Sequence, residues 1–198
     1  MLPIDNFQIA DYWNKRYFDK QTNWDTKGIT TPLKEYFDQL KNKHLKILIP
    51  GAGNAYEAEY LRLNGFQNVY VLDIAAIPLQ NFRFRNPDFP AENIFQENFF
   101  AHSGTYDLIV EQTFFSSLNP SLRENYFQKM NSLLAENAKL VGLIFDCTFF
   151  ENAPPYGGSK NEYLPLIEKY FKIHTFETAY NSIKPRKNRE LFFILLPK

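Results

Sequence analysis

The sequence of 198 residues contains a single cysteine, Cys147, so no internal disulfide can form. Its 22 Lys and Arg residues balance 22 Asp and Glu residues, and this lacks the basic excess typical of proteins that bind nucleic acid or anionic membranes. The longest apolar runs, such as residues 140–145, are too short to cross a bilayer. The start of the chain shows no basic segment followed by an apolar run, as a secretory signal would. We therefore expect a cytoplasmic protein that binds neither nucleic acid nor membrane.

Glycine is also sparse, at 8 residues, whereas aromatic side chains are abundant, with 20 Phe and 12 Tyr. No linker-like tract divides the chain, and its length is that of one ordinary domain. We expect a single domain over residues 1–198 that acts as a monomer. Its first part, residues 1–42, reads as two helices, from Gln8 to Tyr17 and from Thr31 to Lys41, with Pro32 suited to the first turn of the second helix.

From residue 46 onward, short apolar runs alternate with helical patterns, which indicates a parallel sheet with helices on both faces. The last two apolar runs follow one another through a turn-sized connection, which predicts an antiparallel hairpin at the sheet edge. The expected fold class is α/β and Rossmann-like, a doubly wound, mostly parallel seven-stranded sheet with a C-terminal antiparallel hairpin. The predicted strands are residues 46–49, 68–73, 93–96, 106–111, 139–145, 171–180 and 190–196, and the predicted helices between them are residues 55–64, 76–86, 120–134 and 160–168.

The segment ILIPGAGNAYEAEYL, residues 47–61, reads as a buried strand, a glycine loop at residues 51–53, and then a helix. Asn54 is expected to cap this helix, with Glu57 three positions further on as in a capping box. Asp73 ends the next strand, at the spacing at which a carboxylate accepts hydrogen bonds from ribose hydroxyls. A tight turn followed by an ordinary acidic strand end is the alternative. The whole pattern favours a nucleoside site.

The glycine loop also bears on which nucleoside is bound. A dinucleotide-binding loop would carry a third glycine where Tyr56 stands, and a dehydrogenase would usually add a second domain for its substrate. A nucleoside without a pyrophosphate fits the loop better. S-adenosylmethionine is such a ligand, and a hairpin added to a doubly wound sheet is the arrangement of the class I methyltransferases that use it. A nicotinamide-binding oxidoreductase is the alternative interpretation of the same loop.

Several blocks extend beyond the glycine loop, and EQTFFSSLNP and the PPY block are more distinctive than any glycine motif. The blocks are NWDTKGITTP (23–32), LIPGAGNAYEAEYL (48–61), VLDI (71–74), NFF (98–100), YDLIVEQTFFSSLNPSLR (106–123), PPYGGSKNEY (154–163) and RKNRE (186–190). In these blocks the chain resembles the thiopurine S-methyltransferase-like family, which includes halide and thiol methyltransferases. The resemblance covers nearly the whole chain.

This resemblance implies a methyltransferase that binds S-adenosylmethionine under a cap made by the two N-terminal helices. Asp73 would hold the ribose, and the adenine would lie against Ile74, Asn98 and Phe99. An Asn amide suits adenine because it offers both a donor and an acceptor. Gln112 is placed to reach the methionyl carboxylate or the substrate. The other cofactor residues that the resemblance implies are Trp13, Tyr17, Trp24, Gly51, Ala52 and Gly53.

Simpler interpretations compete with several of these roles. Trp13 and Tyr17 lie four positions apart on one helical face, which core packing would explain equally well. Arg186 could hold an anionic substrate or merely be solvated at the hairpin turn. The predicted substrate contacts are Phe115, Tyr156 and Arg186, and Phe115 could equally be core filler.

The expected reaction is methyl transfer to sulfur or another soft nucleophile of a small molecule, such as a thiol, a thiopurine, a halide or thiocyanate. No metal site and no catalytic side chain are predicted, because such a displacement rests on positioning. His102 is a weak candidate for a base, and Cys147 is expected to be inert. Ala52 and Asn98 depart from the residues usual in the family, which leaves the acceptor open. A domain that binds S-adenosylmethionine without turnover, as a sensor or partner-binding module, is the alternative function.

Overall fold

The structure is a computed structural model that describes residues 9–149 and 152–198. The helices in these ranges are α1 (Ala10–Phe18), α2 (Thr31–Asp38), α3 (Tyr56–Leu63), α4 (Ala76–Arg85), α5 (Arg123–Ser132) and α6 (Lys160–Tyr170). The strands are β1 (Ile47–Pro50), β2 (Val69–Asp73), β3 (Ile94–Gln96), β4 (Tyr106–Gln112), β5 (Leu134–Phe145), β6 (Phe171–Thr178) and β7 (Glu190–Pro197). The start predicted for α1, Gln8, lies outside the described residues. None of the described helices has the length and apolar character needed to span a membrane.

The strands form one sheet in the order β3-β2-β1-β4-β5-β7-β6. The first five of these run parallel, and β7 lies antiparallel between β5 and β6. The predicted α/β fold with its C-terminal antiparallel hairpin is therefore confirmed. The strand order reverses between β1 and β4, and the carboxyl ends of these strands border the crevice in which open α/β sheets bind their ligands.

Helices cover both faces of the sheet, because successive strand residues point to opposite sides. On one face, Ile47, Ile49 and Val110 pack against α2, α3 and α4. On the other face, Leu48 and Ile109 pack against α5 and α6. Much of the aromatic excess lies on this second face, and each such ring contributes roughly 1.5–3 kcal/mol by its burial. The buried rings there include Tyr106, Tyr126, Tyr163, Phe115, Phe127, Phe171 and Phe193.

β5 is longer than the sequence pattern predicts, and α5 is shorter. β5 begins at Leu134, which pairs with Tyr106 at the start of β4, and a shift in register separates this pair from the rest of the ladder. Asn137 has a left-handed backbone with φ 62°. The predicted helix over residues 120–134 is a short 3-10 turn at Pro120–Leu122 followed by α5. The irregular ladder explains why apolar alternation did not reveal the first part of β5.

The predicted cap of α3 at Asn54 is wrong. α3 begins at Tyr56, and the residue before it, Ala55, has a left-handed backbone with φ 53°. Asn54 Nδ2 instead donates a hydrogen bond to Asp25 at 2.6 Å, in the loop that follows α1. This side chain joins two segments far apart in sequence, which a local capping pattern cannot indicate.

The two N-terminal helices are held by α4 and by the connection between β6 and β7. Asn14 Oδ1 in α1 accepts a hydrogen bond from the Ile77 N–H of α4 at 3.0 Å. The connection between β6 and β7 reaches α2, where Tyr180 and Asn181 donate to Glu35 at 2.9 and 2.6 Å. These contacts fix the N-terminal helices and the hairpin connection relative to the strands between them.

Glu111, near the end of β4, is a fully buried carboxylate that holds the turn after the strand. One oxygen accepts from the Phe115 N–H at 2.9 Å, and the other accepts from the Tyr126 hydroxyl at 2.6 Å. Burial raises the pKa of Glu111 to about 7, although both donors act in the opposite direction. Glu111 thereby sets the path of residues 112–117, which form part of the cleft described below.

We expect Glu111→Leu to lower the free energy of unfolding by about 1–3 kcal/mol for each donor that it leaves unpaired. Glu111→Gln should cost much less, because its carbonyl accepts from the Phe115 N–H and its amide donates to the Tyr126 oxygen. Urea denaturation of both variants measures the difference. A Gln variant as unstable as the Leu variant would contradict this role for Glu111.

The same pair of proteins predicts a dependence on pH. Folding raises the pKa of Glu111, so its contribution to stability is complete below its unfolded value of about 4.3. That contribution is lost as the pH rises through about 7. The urea midpoint of the wild-type protein should therefore fall between about pH 5 and about pH 8, and that of Glu111→Gln should fall by less. An equal fall in both proteins would show that Glu111 does not carry this effect.

Candidate functional site

A cleft opens at the carboxyl ends of β1, β2 and β4, where the strand order reverses. The space between its walls, counted together with the open solvent at its mouth, is about 1220 Å³. Its walls come from α1, the glycine loop, the loops after the central strands and the connection between β6 and β7. All the residues that the sequence assigns to the cofactor line it, namely Trp13, Tyr17, Trp24, Gly51, Ala52, Gly53, Asp73, Ile74, Asn98, Phe99 and Gln112. Their contact with the cofactor itself stays a prediction.

The two glycines of the loop have left-handed backbones, with φ 59° at Gly51 and φ 53° at Gly53, which side chains disfavour. A Cβ atom at Gly51 would lie 2.3 Å from the Phe114 ring, and one at Gly53 would lie 2.5 Å from the Tyr17 hydroxyl. The space that the missing side chains leave is therefore filled by aromatic residues of the protein itself. These rings bring the cleft walls against the loop.

Asp73, at the end of β2, is 9% exposed and faces the glycine loop. Its Oδ2 accepts from the Gly53 N–H and its Oδ1 from the Ala75 N–H, both at 2.8 Å. Burial raises the pKa of this carboxyl group, and the backbone donors oppose the rise. Because a carboxylate oxygen accepts more than one hydrogen bond, each oxygen retains capacity for a ribose hydroxyl.

Three aromatic rings cover the other side of the glycine loop. Trp24 lies edge-on to Trp13 and Tyr17, with ring centroids 5.5 and 5.8 Å apart. Its indole N–H donates to the Tyr17 hydroxyl at 3.4 Å. No residue of α1 is fully buried, so Trp13 and Tyr17 form a cleft wall and not a part of the main core.

Hydrogen bonds from three directions hold the loop that follows α1. Arg186, in the connection between β6 and β7, donates to the Trp24 carbonyl at 2.7 Å. Asn54, next to the glycine loop, holds Asp25. Thr30 donates to Gln112 Oε1, at the end of β4, at 3.2 Å. The N-terminal segment is thus fixed to the connection between β6 and β7, to the glycine loop and to the end of β4.

Arg186 is a buried link and is not solvated at the hairpin turn. It lines the cleft, and its Nη1 pairs with Glu190 of β7 at 3.1 Å. The contacts of its guanidinium group, to Glu190, to the Trp24 carbonyl and to the Phe145 ring, are with the protein itself. Its proposed contact with an anionic substrate stays a prediction.

The structure does not bring Phe115 and Tyr156 into the cleft wall. Phe115 is 2% exposed and packs in the core, with its ring centroid 5.0 Å from Tyr126 and 5.4 Å from Tyr163. The Tyr156 side chain is buried, and its backbone N–H donates to the Ser116 carbonyl at 2.7 Å. The substrate contacts predicted for both residues find no support in this geometry, because their neighbours in the chain face the cleft instead.

On the side assigned to adenine, Asn98 Oδ1 accepts from the Phe100 N–H at 2.9 Å, which leaves the amide N–H groups as donors. Phe99 is nearly buried, lines the cleft and packs edge-on to Phe114, with centroids 5.1 Å apart. It therefore serves both the core and the cleft wall.

His102 and Cys147 lie outside the cleft lining. The imidazole of His102 is buried, with one nitrogen at the Tyr106 hydroxyl, 2.8 Å away, and the other at the Glu97 carboxylate. Both ring nitrogens are thus occupied by structural contacts. The backbone of Cys147 forms an isolated antiparallel β-bridge with that of Gly158. Neither residue is placed to act on a ligand in the cleft.

Sequence reasoning missed part of the lining. The NWD and PPY blocks pointed to the right segments without naming Asp25, Pro154 or Pro155. Glu57 was interpreted only as a capping residue, and no local signal showed that it faces the cleft. The other lining residues that were missed are Thr26, Asn54, Tyr56, Leu72, Glu97, Phe100, Thr113, Phe114, Ser116, Ser117 and Leu118.

A parallel sheet with a glycine loop and an acidic strand end at its switch point, extended by an antiparallel hairpin, defines the class I methyltransferase fold. Solved structures share it. A TehB-like SAM-dependent methyltransferase from Corynebacterium glutamicum is similar with a TM-score of 0.69 and 15% identity, over 95% of this chain and 100% of that one. The 1,6-didemethyltoxoflavin-N1-methyltransferase from Burkholderia thailandensis has a TM-score of 0.76 and 13% identity, over 96% of this chain and 87% of that one.

Residues 8–193 match the model of the thiopurine S-methyltransferase family, and the chain belongs to this family. It is 27% identical over 187 residues to probable thiol methyltransferase 2 of Arabidopsis thaliana. The aligned region covers 90% of this chain and 81% of the relative. It is also 27% identical over 185 residues to thiocyanate methyltransferase 1 of Brassica oleracea, with the same coverage of 90% and 81%. The chain is an S-adenosylmethionine-dependent methyltransferase, and the predicted family and cofactor are confirmed.

The residues of the cleft fit S-adenosylmethionine. Gln112 Nε2 is a buried donor with no hydrogen-bond partner among the described residues, as expected of a group that meets a ligand carboxylate. At the other end, Asp73 offers a carboxylate to a ribose. The aromatic side chains of Trp13, Tyr17 and Trp24 line the cleft, and aromatic rings attract a sulfonium cation.

We expect Asp73→Ala to weaken the binding of S-adenosylmethionine by about 1–3 kcal/mol, because the ribose loses its acceptor. The variant should also unfold at a lower temperature, since the Gly53 and Ala75 N–H groups lose their partner. Calorimetry measures the affinity and a thermal melt the stability. Asp88→Ala, a change of the same kind at an exposed carboxylate outside the cleft, is the control. Unchanged affinity in Asp73→Ala would remove Asp73 from the site.

Proposed function

We propose that this enzyme transfers the methyl group of S-adenosylmethionine to a sulfur atom, or another soft nucleophile, of a small molecule. The carrying observation is that the aromatic wall of Trp13, Tyr17 and Trp24, the glycine loop and Asp73 all line one cleft. The relatives support a sulfur acceptor, because they are named as thiol and thiocyanate methyltransferases.

We assign the acceptor to the part of the cleft formed after β4 and by residues 154–155. Phe100, Phe114 and Leu118 line it together with two prolines. The hydroxyls nearby are engaged locally, since Ser116 and Ser117 donate to backbone carbonyls at 2.8 and 2.6 Å. An apolar wall of this kind favours a weakly hydrated, polarizable nucleophile over a strongly hydrated one.

When bound, S-adenosylmethionine supplies a sulfonium methyl group, whose transfer neutralises charge. The protein positions the reacting groups and excludes water from them. The hydrogen-bonded loop after α1 covers the cleft, and Asp73 and Gln112 fix the two ends of the cofactor. The described lining includes no His, Lys or Cys. We therefore propose that a thiol acceptor enters as the thiolate formed in solution.

The organisation of the chain is part of the proposal. We propose a single domain over residues 1–198, with residues 1–42 as the cap, acting as a monomer in the cytoplasm. The contacts that close the cleft support this arrangement, since Arg186 and Asn54 hold the cap from within the same chain.

The function is tested by calorimetry followed by an activity panel. The protein should bind S-adenosylmethionine and S-adenosylhomocysteine in the micromolar range, and it should methylate at least one of an aromatic thiol, a thiopurine, iodide and thiocyanate. The absence of heat and of a thermal shift with both cofactors would overturn the proposal. Tight binding with no transfer to any acceptor would favour a sensor that binds the cofactor without turnover.

A second test addresses the aromatic wall. Trp24→Leu should weaken S-adenosylmethionine more than the uncharged S-adenosylhomocysteine, by about 0.5–2 kcal/mol, because the ring face attracts the sulfonium charge. The backbone hydrogen bond from Arg186 to residue 24 survives the change. Phe84→Leu, at a ring that is 89% exposed, is the matched control. Equal losses for both ligands would show that Trp24 does not sense the charge.

A further inference from the structure

Thr113, the residue that follows β4, lines the cleft with a backbone conformation that its side chain disfavours. Its φ is 64°, in the left-handed region, where a β-branched residue is an outlier. No other described residue with a left-handed backbone has a β-branched side chain. Glycine adopts this conformation without strain, as it does at Gly51 and Gly53 of the same cleft. The chain thus carries a threonine here at a cost to its stability, and strain of this kind is concentrated at functional sites.

The left-handed turn at Thr113 brings its two neighbours to the same cleft. Successive side chains of an extended strand point to opposite sides, yet residues 112, 113 and 114 all line the cleft. Phe114 fills the space beside Gly51, and Gln112 Oε1 accepts a hydrogen bond from Thr30. The backbone conformation explains how both neighbours reach the cleft, and a glycine at position 113 would provide the same conformation. It does not explain the side chain of Thr113 itself.

The hydroxyl group of Thr113 is committed as a donor to the backbone. Its Oγ1 donates to the Gln112 carbonyl at 2.6 Å. A hydroxyl group has one hydrogen and two lone pairs, so this oxygen can form further hydrogen bonds only as an acceptor. Thr113 therefore places an electron-rich oxygen on the cleft wall.

This oxygen lies between the two parts of the cleft in the sequence. The proposed function places the acceptor against Phe114 and Leu118 and the methionyl carboxylate at Gln112, and Thr113 separates the two. The methyl group passes from one part to the other. Because the sulfonium charge polarises the C–H bonds of this methyl group, an oxygen with free lone pairs attracts it. The same oxygen repels an electron-rich nucleophile, so the methyl group is its complementary partner.

We propose that the Thr113 hydroxyl oxygen contacts the methyl group of the sulfonium and holds it in line with the nucleophile. The inference rests on the proposed function, because it takes S-adenosylmethionine as the ligand of the cleft. In the transfer, the bond from the methyl carbon to the sulfonium sulfur breaks and its electron pair stays on that sulfur. A lone pair of the nucleophile forms the new bond to carbon. Thr113 gains and loses no proton, and its contribution is the position of the methyl group.

Two substitutions separate the hydroxyl group from the shape of the side chain. Thr113→Val removes the oxygen and keeps the branched shape, whereas Thr113→Ser keeps the oxygen. Calorimetry compares S-adenosylmethionine with S-adenosylhomocysteine, which lacks the methyl group. We expect Thr113→Val to weaken S-adenosylmethionine about two- to fivefold more than S-adenosylhomocysteine. Its kcat/KM for an acceptor that the wild-type protein methylates should fall about tenfold or more, and Thr113→Ser should restore most of both losses.

A third substitution separates the strain from the chemistry. Thr113→Gly relieves the left-handed strain, so its melting temperature should match or exceed that of the wild type, while its ligand preference and kcat/KM should fall as in Thr113→Val. Asn137→Gly is the matched control, because Asn137 has a left-handed backbone with φ 62°, is exposed and lies outside the cleft lining. The control should keep the wild-type ligand preference and rate.

Several results would overturn the role of Thr113. One is a Val or Gly variant with the wild-type ligand preference and rate, and another is an equal loss for both ligands. A Ser variant as impaired as the Val variant would show that shape matters and the hydroxyl group does not. If the wild-type protein binds both ligands without turnover, the ratio of the two affinities still decides. A wild-type protein that binds neither ligand would instead overturn the proposed function.

Discussion

The hydrogen bond from the Gly53 N–H to Asp73 joins the loop after β1 to the end of β2, and the cleft depends on it. It fixes a left-handed backbone beside a carboxylate that burial alone would tend to protonate. Because the same carboxylate also accepts from the Ala75 N–H, it links the loop, the strand end and the residue before α4. Any ligand that needs an acceptor at Asp73 therefore meets a site that is already in place, and little ordering is left for binding to accomplish.

The abundant aromatic side chains lie in two regions of this structure. One set of rings fills the core between the sheet and the pair α5 and α6. The other set closes around the glycine loop, where Phe114 and Tyr17 occupy the space that side chains at Gly51 and Gly53 would need. The few glycines and the many rings are thus parts of one arrangement. Backbone without side chains accepts aromatic rings at close range, and these rings line the cleft beside the glycine loop.

Periodicity in the sequence predicted the sheet, its hairpin and most strand bounds, because apolar alternation is a local property that the strands of an α/β core obey. The glycine loop and Asp73 were predictable for the same reason, since their spacing is fixed by consecutive elements. The errors concern contacts between distant segments. Asn54 bonds to Asp25 and does not cap α3, and Phe115 turns into the core while its neighbour Phe114 faces the cleft. Glu111 accepts a hydrogen bond from the Phe115 N–H and so holds the turn after β4 from inside the core. This turn directs Phe114 and Phe115 to opposite sides.

The buried carboxylates are of two kinds: some are paired within the chain, and one lines the cleft without a side-chain partner among the described residues. Burial raises the pKa of Glu111 and of Glu190, yet Glu111 accepts from Tyr126 and Glu190 pairs with Arg186, so both are compensated within the chain. Glu57 is also buried, and no other side chain among the described residues pairs with it. A chain selected for stability alone would gain by replacing it with a neutral side chain, since an unpaired buried charge opposes folding. Its place in the cleft wall is therefore best explained by contact with a ligand of the cleft.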